Sequence, residues 1–295
     1  MLYLHEKGDC KLNTTYMNRS GLIFLSVILF FGCNQMVEEG VSKKDLERDV
    51  ELVTDFGTII IRLSDDTPEH RNNFIRLVNM ELFDGVLFHR VIDEFLVQTG
   101  DPNTRPETEE GASFEPDLDY MVPAEFTEDL FHRRGAVNAA RSDNPARASS
   151  SSQFTIIQGR VYNDSTLAIA EGRINDWLRE NKLVNNREYS SWLKVRERLI
   201  AERPDSDSIT VAQNMIEQIA ERELAGFTPY TIPAEHREVY KTEGGAAHLD
   251  QNYTVFGVVL SGMEIVDRIA GLETDEHDRP FDDVRIITAR MIDRR

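Results

Sequence analysis

The chain contains two stretches of short, strand-like segments, separated by one long block with helical periodicity. The segments are rich in Val, Ile, Phe and Thr, a composition typical of β-strands. In chain order they lie at 50–53, 58–63, 86–92, 95–98, 135–140, 153–157, 254–260 and 284–292. Many strands with few helices among them predict a mainly β domain built as a closed barrel.

Two helices are predicted within the β stretches. Thr67-Pro68-Glu69 is a helix-start pattern, in which a hydroxyl residue caps the helix and proline takes the first helical position. Apolar residues at helical spacing then extend this helix to about Met80. A second helix is predicted at Met263–Ile269.

The block between the β stretches, residues 163–243, is rich in helix-forming residues. Its apolar residues recur at helical spacing: Leu167, Ala170, Ile174, Trp177, Leu178, Tyr189, Trp192, Leu193, Val211, Met215 and Ile219. The pattern predicts an α-helical insertion within a β domain that spans 49–295. The insertion either packs passively on the barrel or covers or extends a binding groove.

The N-terminus has the features of an export signal. Leu22–Phe31 is apolar but far shorter than a membrane-spanning helix needs to be, and Arg19 precedes it. We therefore interpret residues 1–33 as a signal peptide, for which Met17 is a better start than Met1. Gly32-Cys33 resembles the end of a bacterial lipobox, which implies acylation of Cys33; the lipobox usually has leucine where this chain has Phe30.

These features predict a lipoprotein of the cell envelope that faces the periplasm or the exterior. Residues 34–48 are polar, as expected of a linker between lipid and domain. The two cysteines of the chain are Cys10 and Cys33, so no disulfide is expected in the mature domain. The formal net charge of −19 makes nucleic acid a poor partner, because the chain repels phosphate backbones. The oligomeric state is left open.

Three blocks resemble the cyclophilin family. The first is Phe88-His89-Arg90-Val91-Ile92, followed by Phe95, Gln98, Gly100 and Asp101. The second runs from Gly135-Ala136-Val137 through Ala140-Arg141 to Ser152-Gln153-Phe154, and the third comprises Leu249-Asp250, Tyr253–Gly257 and Gly262-Met263. Because the three blocks occur in the family's order, they are more specific than a single short motif. The resemblance implies an eight-stranded antiparallel barrel closed by a helix at each end, and peptidyl-prolyl cis-trans isomerase activity without a cofactor.

The resemblance implies a catalytic pair, Arg90 and Gln98. The X–Pro amide isomerises slowly because its partial double bond sets a barrier of about 18–20 kcal/mol. A guanidinium that donates to the proline nitrogen favours the twisted, unconjugated bond, and Arg90 has the rigid donor fork for this role. Gln98 matches the glutamine that binds the substrate backbone. The residues implied to contact the substrate are Phe95, Leu96, Ala140, Arg141, Gln153, Thr155, His248, Leu249 and Tyr253.

Four positions depart from the common family pattern. Leu96 replaces methionine, His248 replaces the tryptophan of eukaryotic members, and Tyr253 replaces histidine. Thr155 stands where many members have phenylalanine at the floor of the proline pocket. The pocket is therefore expected to be shallower, more polar or filled from elsewhere, and this change bears most directly on turnover.

Three functions are considered. The first is an isomerase that acts on the X–Pro bonds of exported proteins, and the second is a proline-recognition or chaperone-like module with little turnover. The third, a structural lipoprotein, has little support beyond the anchor. No metal site is expected around His89, because no second histidine or cysteine stands at ligand spacing, and serines 149–152 lack the glycine-flanked setting of a nucleophile.

Overall fold

Twelve strands and six α-helices make up the fold, which was obtained as a computed structural model that describes residues 36–106 and 118–294. The strands are β1 Met36–Glu38, β2 Val41–Ser42, β3 Arg48–Thr54, β4 Gly57–Leu63, β5 Arg90–Ile92, β6 Leu96–Thr99, β7 Met121–Val122, β8 Ala136–Ala139, β9 Ser149–Ser150, β10 Phe154–Ile157, β11 Val255–Ser261 and β12 Ile286–Asp293. The helices are α1 Pro68–Asn79, α2 Asp164–Val184, α3 Arg187–Glu202, α4 Ser208–Leu224, α5 Ala234–Thr242 and α6 Met263–Ala270.

Eight strands form one antiparallel sheet in the order β12-β3-β4-β11-β8-β10-β6-β5. Each contains residues of one of the eight predicted strand segments, so outside residues 163–243 the described chain is mainly β, as predicted. Alternate residues of each strand point to opposite faces. One face forms the main core with Val97, Val137, Phe154 and Ile156. The other face of the same strands carries the residues that the sequence assigned to the site.

The sheet is a curled half-barrel rather than the predicted closed barrel. No regular ladder joins the edge strands β5 and β12 within the described residues. The chain before β5 spans part of this gap instead: Leu87 bridges to Arg285, and the Phe88 N–H donates to the Val284 carbonyl. Most of the segment predicted as a strand at 86–92 therefore pairs outside β5, and closure by continuous strand pairing was a wrong prediction.

The helices α1 and α6 each bury one side in the main core. Phe74, Ile75 and Leu77 come from α1, and Val266 and Ile269 come from α6. Both helices lie where the apolar spacing predicted them.

Capping of α1 differs from the prediction. Thr67 precedes the helix but makes no side-chain capping hydrogen bond. The Glu125 carboxylate accepts from the N–H groups of Glu69 and His70 instead. A carboxylate also suits the positive end of the helix dipole.

The region interpreted as a linker is partly folded onto the domain. Val41 is fully buried in the main core, and the Ser42 N–H and hydroxyl both donate to the Asp45 carboxylate. Apolar burial thus begins several residues before the predicted domain start at 49. The predicted signal peptide and Cys33 lie outside the described residues, and none of the helices that are described has the length and apolar character to span a bilayer.

Helices α2 to α5 occupy the block predicted as an α-helical insertion. Leu167, Ala170 and Ile174 of α2 pack with Tyr240 of α5 in a separate apolar cluster. The fully buried Tyr240 donates its hydroxyl hydrogen to Asp250 Oδ2 at 2.8 Å, while His132 contacts Asp250 Oδ1 at the same distance. Asp250 lies in the third family-like block, so this buried carboxylate ties the insertion to the chain that carries Leu249 and Tyr253.

We expect Tyr240→Phe to destabilise the protein by about 1.5–3 kcal/mol, because it removes a hydrogen bond from a buried carboxylate. Urea unfolding measures this loss. Tyr189→Phe on α3 is the matched control, since that hydroxyl has no hydrogen-bond partner among the described residues. Equal stability of the two variants would show that Asp250 does not depend on Tyr240.

Candidate active site

A row of side chains crosses the sheet on the face opposite the main core. Arg90 of β5 stands directly opposite Gln98 of β6, which stands opposite Thr155 of β10. Thr155 in turn faces Asn138 of β8. Residues opposite one another in antiparallel strands project to the same face, with Cβ atoms about 4.5–5.5 Å apart. Strand register therefore brings Arg90, Gln98 and Thr155 together.

An apolar cluster lies beside this row on the same face. Leu96, Leu249 and Val255 belong to its buried part, with Leu96 and Leu249 only 4% and 6% exposed. Phe95 and Tyr253 are partly buried and pack against it. The predicted walls of the proline pocket, which come from two distant parts of the chain, thus meet in one cluster.

Arg90 is held by an acidic residue that the sequence did not single out. Its Nε lies 3.2 Å from Asp278 Oδ2, and the Asp278 carbonyl accepts from the Val91 N–H. The two terminal guanidinium nitrogens of Arg90 have no hydrogen-bond partner among the described residues. Since Arg90 is 40% exposed, these donors remain accessible.

Gln98 and Gln153 contact each other, and their contact borders the polypeptide segment around Ala140. Gln98 Nε2 donates to Gln153 Oε1 at 3.0 Å. The backbone groups of Ala140 are both engaged, since its N–H donates to the Gln153 carbonyl and its carbonyl accepts from the Ser150 N–H. The backbone N–H and carbonyl of Arg141 have no partner among the described residues, so Arg141 rather than Ala140 has free groups to pair with another chain.

The floor of the cluster is polar at Thr155. The Thr155 hydroxyl donates to Asn138 Oδ1 at 2.6 Å, and both side chains are almost fully buried. This pair replaces the aromatic surface that the family pattern places there. The floor is therefore more polar at this position itself, which is one of the outcomes expected for Thr155.

Aromatic surface reaches the cluster from the insertion instead. Trp177 of α2 packs against the cluster that contains Leu96 and Leu249. In the sequence Trp177 is one of many apolar residues at helical spacing, so no local signal distinguishes it from a core residue. Only the packing of α2 beside the sheet brings Trp177 to this cluster.

His248 lines the outer side of the cluster. Its ring lies 5.2 Å from that of Phe95, measured between centroids, with an interplanar angle of 31°. Burial, and to a lesser extent the positive charge of Arg173, lower the pKa of His248 from 6.5 to about 4. His248 is therefore neutral near pH 7 and serves as an aromatic neighbour of Phe95.

A second group of residues has the spacing of a nucleophilic triad but is closed to substrates. His70 Nδ1 lies 2.7 Å from Glu125 Oε2, and His70 Nε2 lies 2.9 Å from Ser149 Oγ. Ser149 is 1% exposed, so no substrate carbonyl can approach its hydroxyl. The group fastens α1 to the short strand β9.

No group of three or more potential metal ligands occurs in the described part of the chain. Burial lowers the pKa of His89, which favours its neutral form. The accessible guanidinium donors of Arg90 and the adjoining apolar cluster suit electrostatic stabilisation of a bound polypeptide.

The family model described as "Cyclophilin type peptidyl-prolyl cis-trans isomerase/CLD" matches residues 49–177 and 235–291, well over half of the chain. The chain belongs to the cyclophilin family of peptidyl-prolyl cis-trans isomerases. Enzymatic isomerisation and proline-containing polypeptide substrates, both predicted from the sequence, are the properties of this family. The two matched ranges are separated by 178–234, which lies within the helical insertion of this cyclophilin.

Curated relatives are similar along most of the chain. A Streptococcus pyogenes protein, provisionally named as a bifunctional phosphatase/peptidyl-prolyl cis-trans isomerase, is 27% identical over 83% of this chain, which spans 38% of that relative. A Staphylococcus epidermidis protein, provisionally named as a peptidyl-prolyl cis-trans isomerase, is 28% identical over 82% of this chain and 91% of its own length. A crystal structure of a cyclophilin type isomerase from Cryptosporidium parvum covers 84% of this chain and 99% of its own, with 16% identity and a TM-score of 0.49.

We expect His248 to make the stability of this cyclophilin dependent on pH. Between pH 6.5 and about 4 the unfolded chain binds a proton that folded His248 does not, so stability falls as the pH is lowered through this window. From pH 7 to pH 5, the free energy of unfolding of the wild type should fall by about 1–2 kcal/mol more than that of His248→Phe. Urea unfolding at both pH values measures the difference, and parallel curves for the two proteins would contradict it.

Proposed function

We propose that this cyclophilin catalyses cis–trans exchange of X–Pro bonds in exported polypeptides, with Arg90 stabilising the twisted bond. The observation that carries the proposal is the register of Arg90 opposite Gln98, beside the apolar cluster of Leu96 and Leu249. Such a site binds a proline ring against apolar side chains and presents a fixed positive charge nearby.

The hydrogen bonding of Arg90 supports this role. Asp278 engages Nε, which restricts the orientation of the guanidinium, while the terminal nitrogens remain available as donors. A donor placed at the proline nitrogen lowers the energy of the unconjugated amide more than that of the planar one. Gln98 and the free backbone groups of Arg141 are suited to hold the chain on either side of the bond.

We expect Arg90→Ala to lower kcat/KM for an X–Pro peptide by about 100-fold or more, because an electrostatic contact specific to the transition state is lost. The kcat/KM of Arg90→Lys should lie between those of the wild type and Arg90→Ala, since lysine keeps the charge but not the planar fork of donors. Arg222→Ala is the control, because Arg222 forms an exposed ion pair with Glu188 on the insertion. Full activity of Arg90→Ala, measured by exchange spectroscopy on a folded protein, would overturn this role.

The proposed location outside the cytoplasm depends on acylation of Cys33. If Cys33 carries the lipid, metabolic labelling with palmitate should mark the wild type, and the protein should partition into the membrane fraction. Cys33→Ser should lose the label and leave that fraction. Labelling of Cys33→Ser equal to that of the wild type would contradict anchoring at this residue.

A second candidate function is polypeptide binding with little turnover. Two observations favour it. The floor of the cluster is polar, because Thr155 and Asn138 form a hydrogen bond there. Helix α3 has no buried residue, although it carries Trp192 and Leu199 and exposes half of Ile200. In this case Arg90→Ala should suppress aggregation of an unfolded client as well as the wild type does, and the wild type should show little exchange activity. Strong, Arg90-dependent exchange would rule this candidate out as the main function.

A further inference from the structure

A second cleft adjoins the proposed proline site. It has a volume of about 370 Å³ and lies between α2 of the insertion and the loop 141–147 that follows β8. Trp177 and Tyr253 line this cleft and also pack against the apolar cluster of the proline site. A polypeptide bound at the proline site would therefore have the cleft within reach of its neighbouring residues.

The loop that forms one wall is held in a defined conformation. Asn144 Nδ2 donates to the Ala148 carbonyl, and the Ala148 N–H donates to Asn144 Oδ1. From the other wall, the side-chain amides of Asn181 and Asn185 donate to the Pro145 carbonyl at 2.7 and 2.9 Å. The insertion thus orders the loop before any ligand binds, which lowers the entropic cost of binding there.

Arg147 is the distinctive residue of the cleft. Its backbone has a φ of +53°, a left-handed conformation that a residue with a side chain rarely adopts. Its guanidinium lies 4.6 Å from the centre of the Phe126 ring and donates to the Gln251 carbonyl. Within the described part of the chain no carboxylate lies within 4 Å of it, so this partly buried positive charge lacks a counter-ion. The surrounding hydrogen bonds maintain this strained backbone at a residue that lines the cleft and carries an uncompensated cation.

The other charges of the cleft do not cancel that of Arg147. Arg141 binds the Asn252 carbonyl and side chain and lies 3.6 Å from Asp143. Asp143 and Glu180 are exposed at the rim, where water and salt screen their charges. Burial and the nearby Arg141 lower the pKa of Arg147, which reflects the cost of a partly buried cation without a counter-ion. A carboxylate from outside would relieve this cost.

We propose that the cleft between α2 and the loop 141–147 is a substrate subsite that binds an acidic side chain of the client polypeptide close to the isomerised proline. The inference rests on the proposed isomerase function, since the client reaches the cleft from the proline site. A charge-assisted contact of this kind gives a preference for acidic over neutral peptides of about fivefold.

The test compares peptides that differ by one side chain. Glu, Gln or Lys is placed at each of the three positions on either side of an Ala-Pro bond, and kcat/KM is measured by exchange spectroscopy. The wild type should prefer Glu over Gln by about fivefold at one or two positions, and 0.5 M NaCl should reduce this ratio. A ratio near 1 at every position, or a preference for Lys, overturns the subsite.

Substitutions in the cleft test whether the preference for Glu over Gln arises there. Arg147→Gln should bring the Glu/Gln ratio close to 1, and Arg147→Lys should retain part of it. Glu180→Gln should raise the ratio, because it removes a competing carboxylate from the rim. Lys182→Gln is the matched control, since it removes an exposed positive charge from α2 at a residue that does not line the cleft. An unchanged ratio in folded Arg147→Gln would overturn the role of Arg147.

The outcomes for the subsite and for the isomerase function are distinguishable. Arg90-dependent exchange of every peptide with no charge preference would leave the isomerase function standing and overturn the subsite. If no peptide is turned over, calorimetric titration of the Glu and Gln peptides into the wild type tests the subsite through binding affinity alone. Tighter binding of the Glu peptide supports it, and equal binding overturns it.

Discussion

The register of β5, β6, β10 and β8 is the constraint on which both the core and the site depend. Because side chains alternate across the sheet, the same four strands place Phe154 and Val137 in the core and Thr155 and Asn138 on the opposite face. A slip of one residue would exchange the two sets. The core therefore also fixes the site, since burial of the apolar residues on one face leaves a single register for Arg90 and Gln98 on the other.

The insertion contributes to the site through contacts that are distant in sequence. Tyr240 and His132 share the buried carboxylate of Asp250, next to Leu249 in the chain. Helix α2 brings Trp177 to the apolar cluster and fastens the loop 141–147 through Pro145. Through these contacts the insertion packs against both the apolar cluster and the loop 141–147.

Thr155 and Trp177 have complementary effects on the apolar surface of the cluster. Loss of the family's usual aromatic residue at the floor removes apolar surface, and the Thr155–Asn138 hydrogen bond satisfies the polar groups that replace it. Trp177 supplies aromatic surface to the same cluster from a different direction. The cluster thus keeps an apolar character although its composition differs from the common family pattern.

Local sequence was sufficient to predict the segments that contain the eight strands of the main sheet, the helices α1 and α6 and the helical block, because periodicity involves neighbours in the chain. It did not identify Asp278 as a contact of Arg90, or Trp177 and Arg147 as residues that line one cleft. Asp278 meets Arg90 across 188 positions of sequence separation, and the cleft exists only because α2 packs beside the loop 141–147. Incomplete closure of the sheet likewise depends on the path of residues 85–88 past β12, which no local pattern encodes. The residue types and their spacing determined the chemistry available to this protein, whereas tertiary packing decided which of those groups share a cleft, since distance and burial are set by contacts between remote segments.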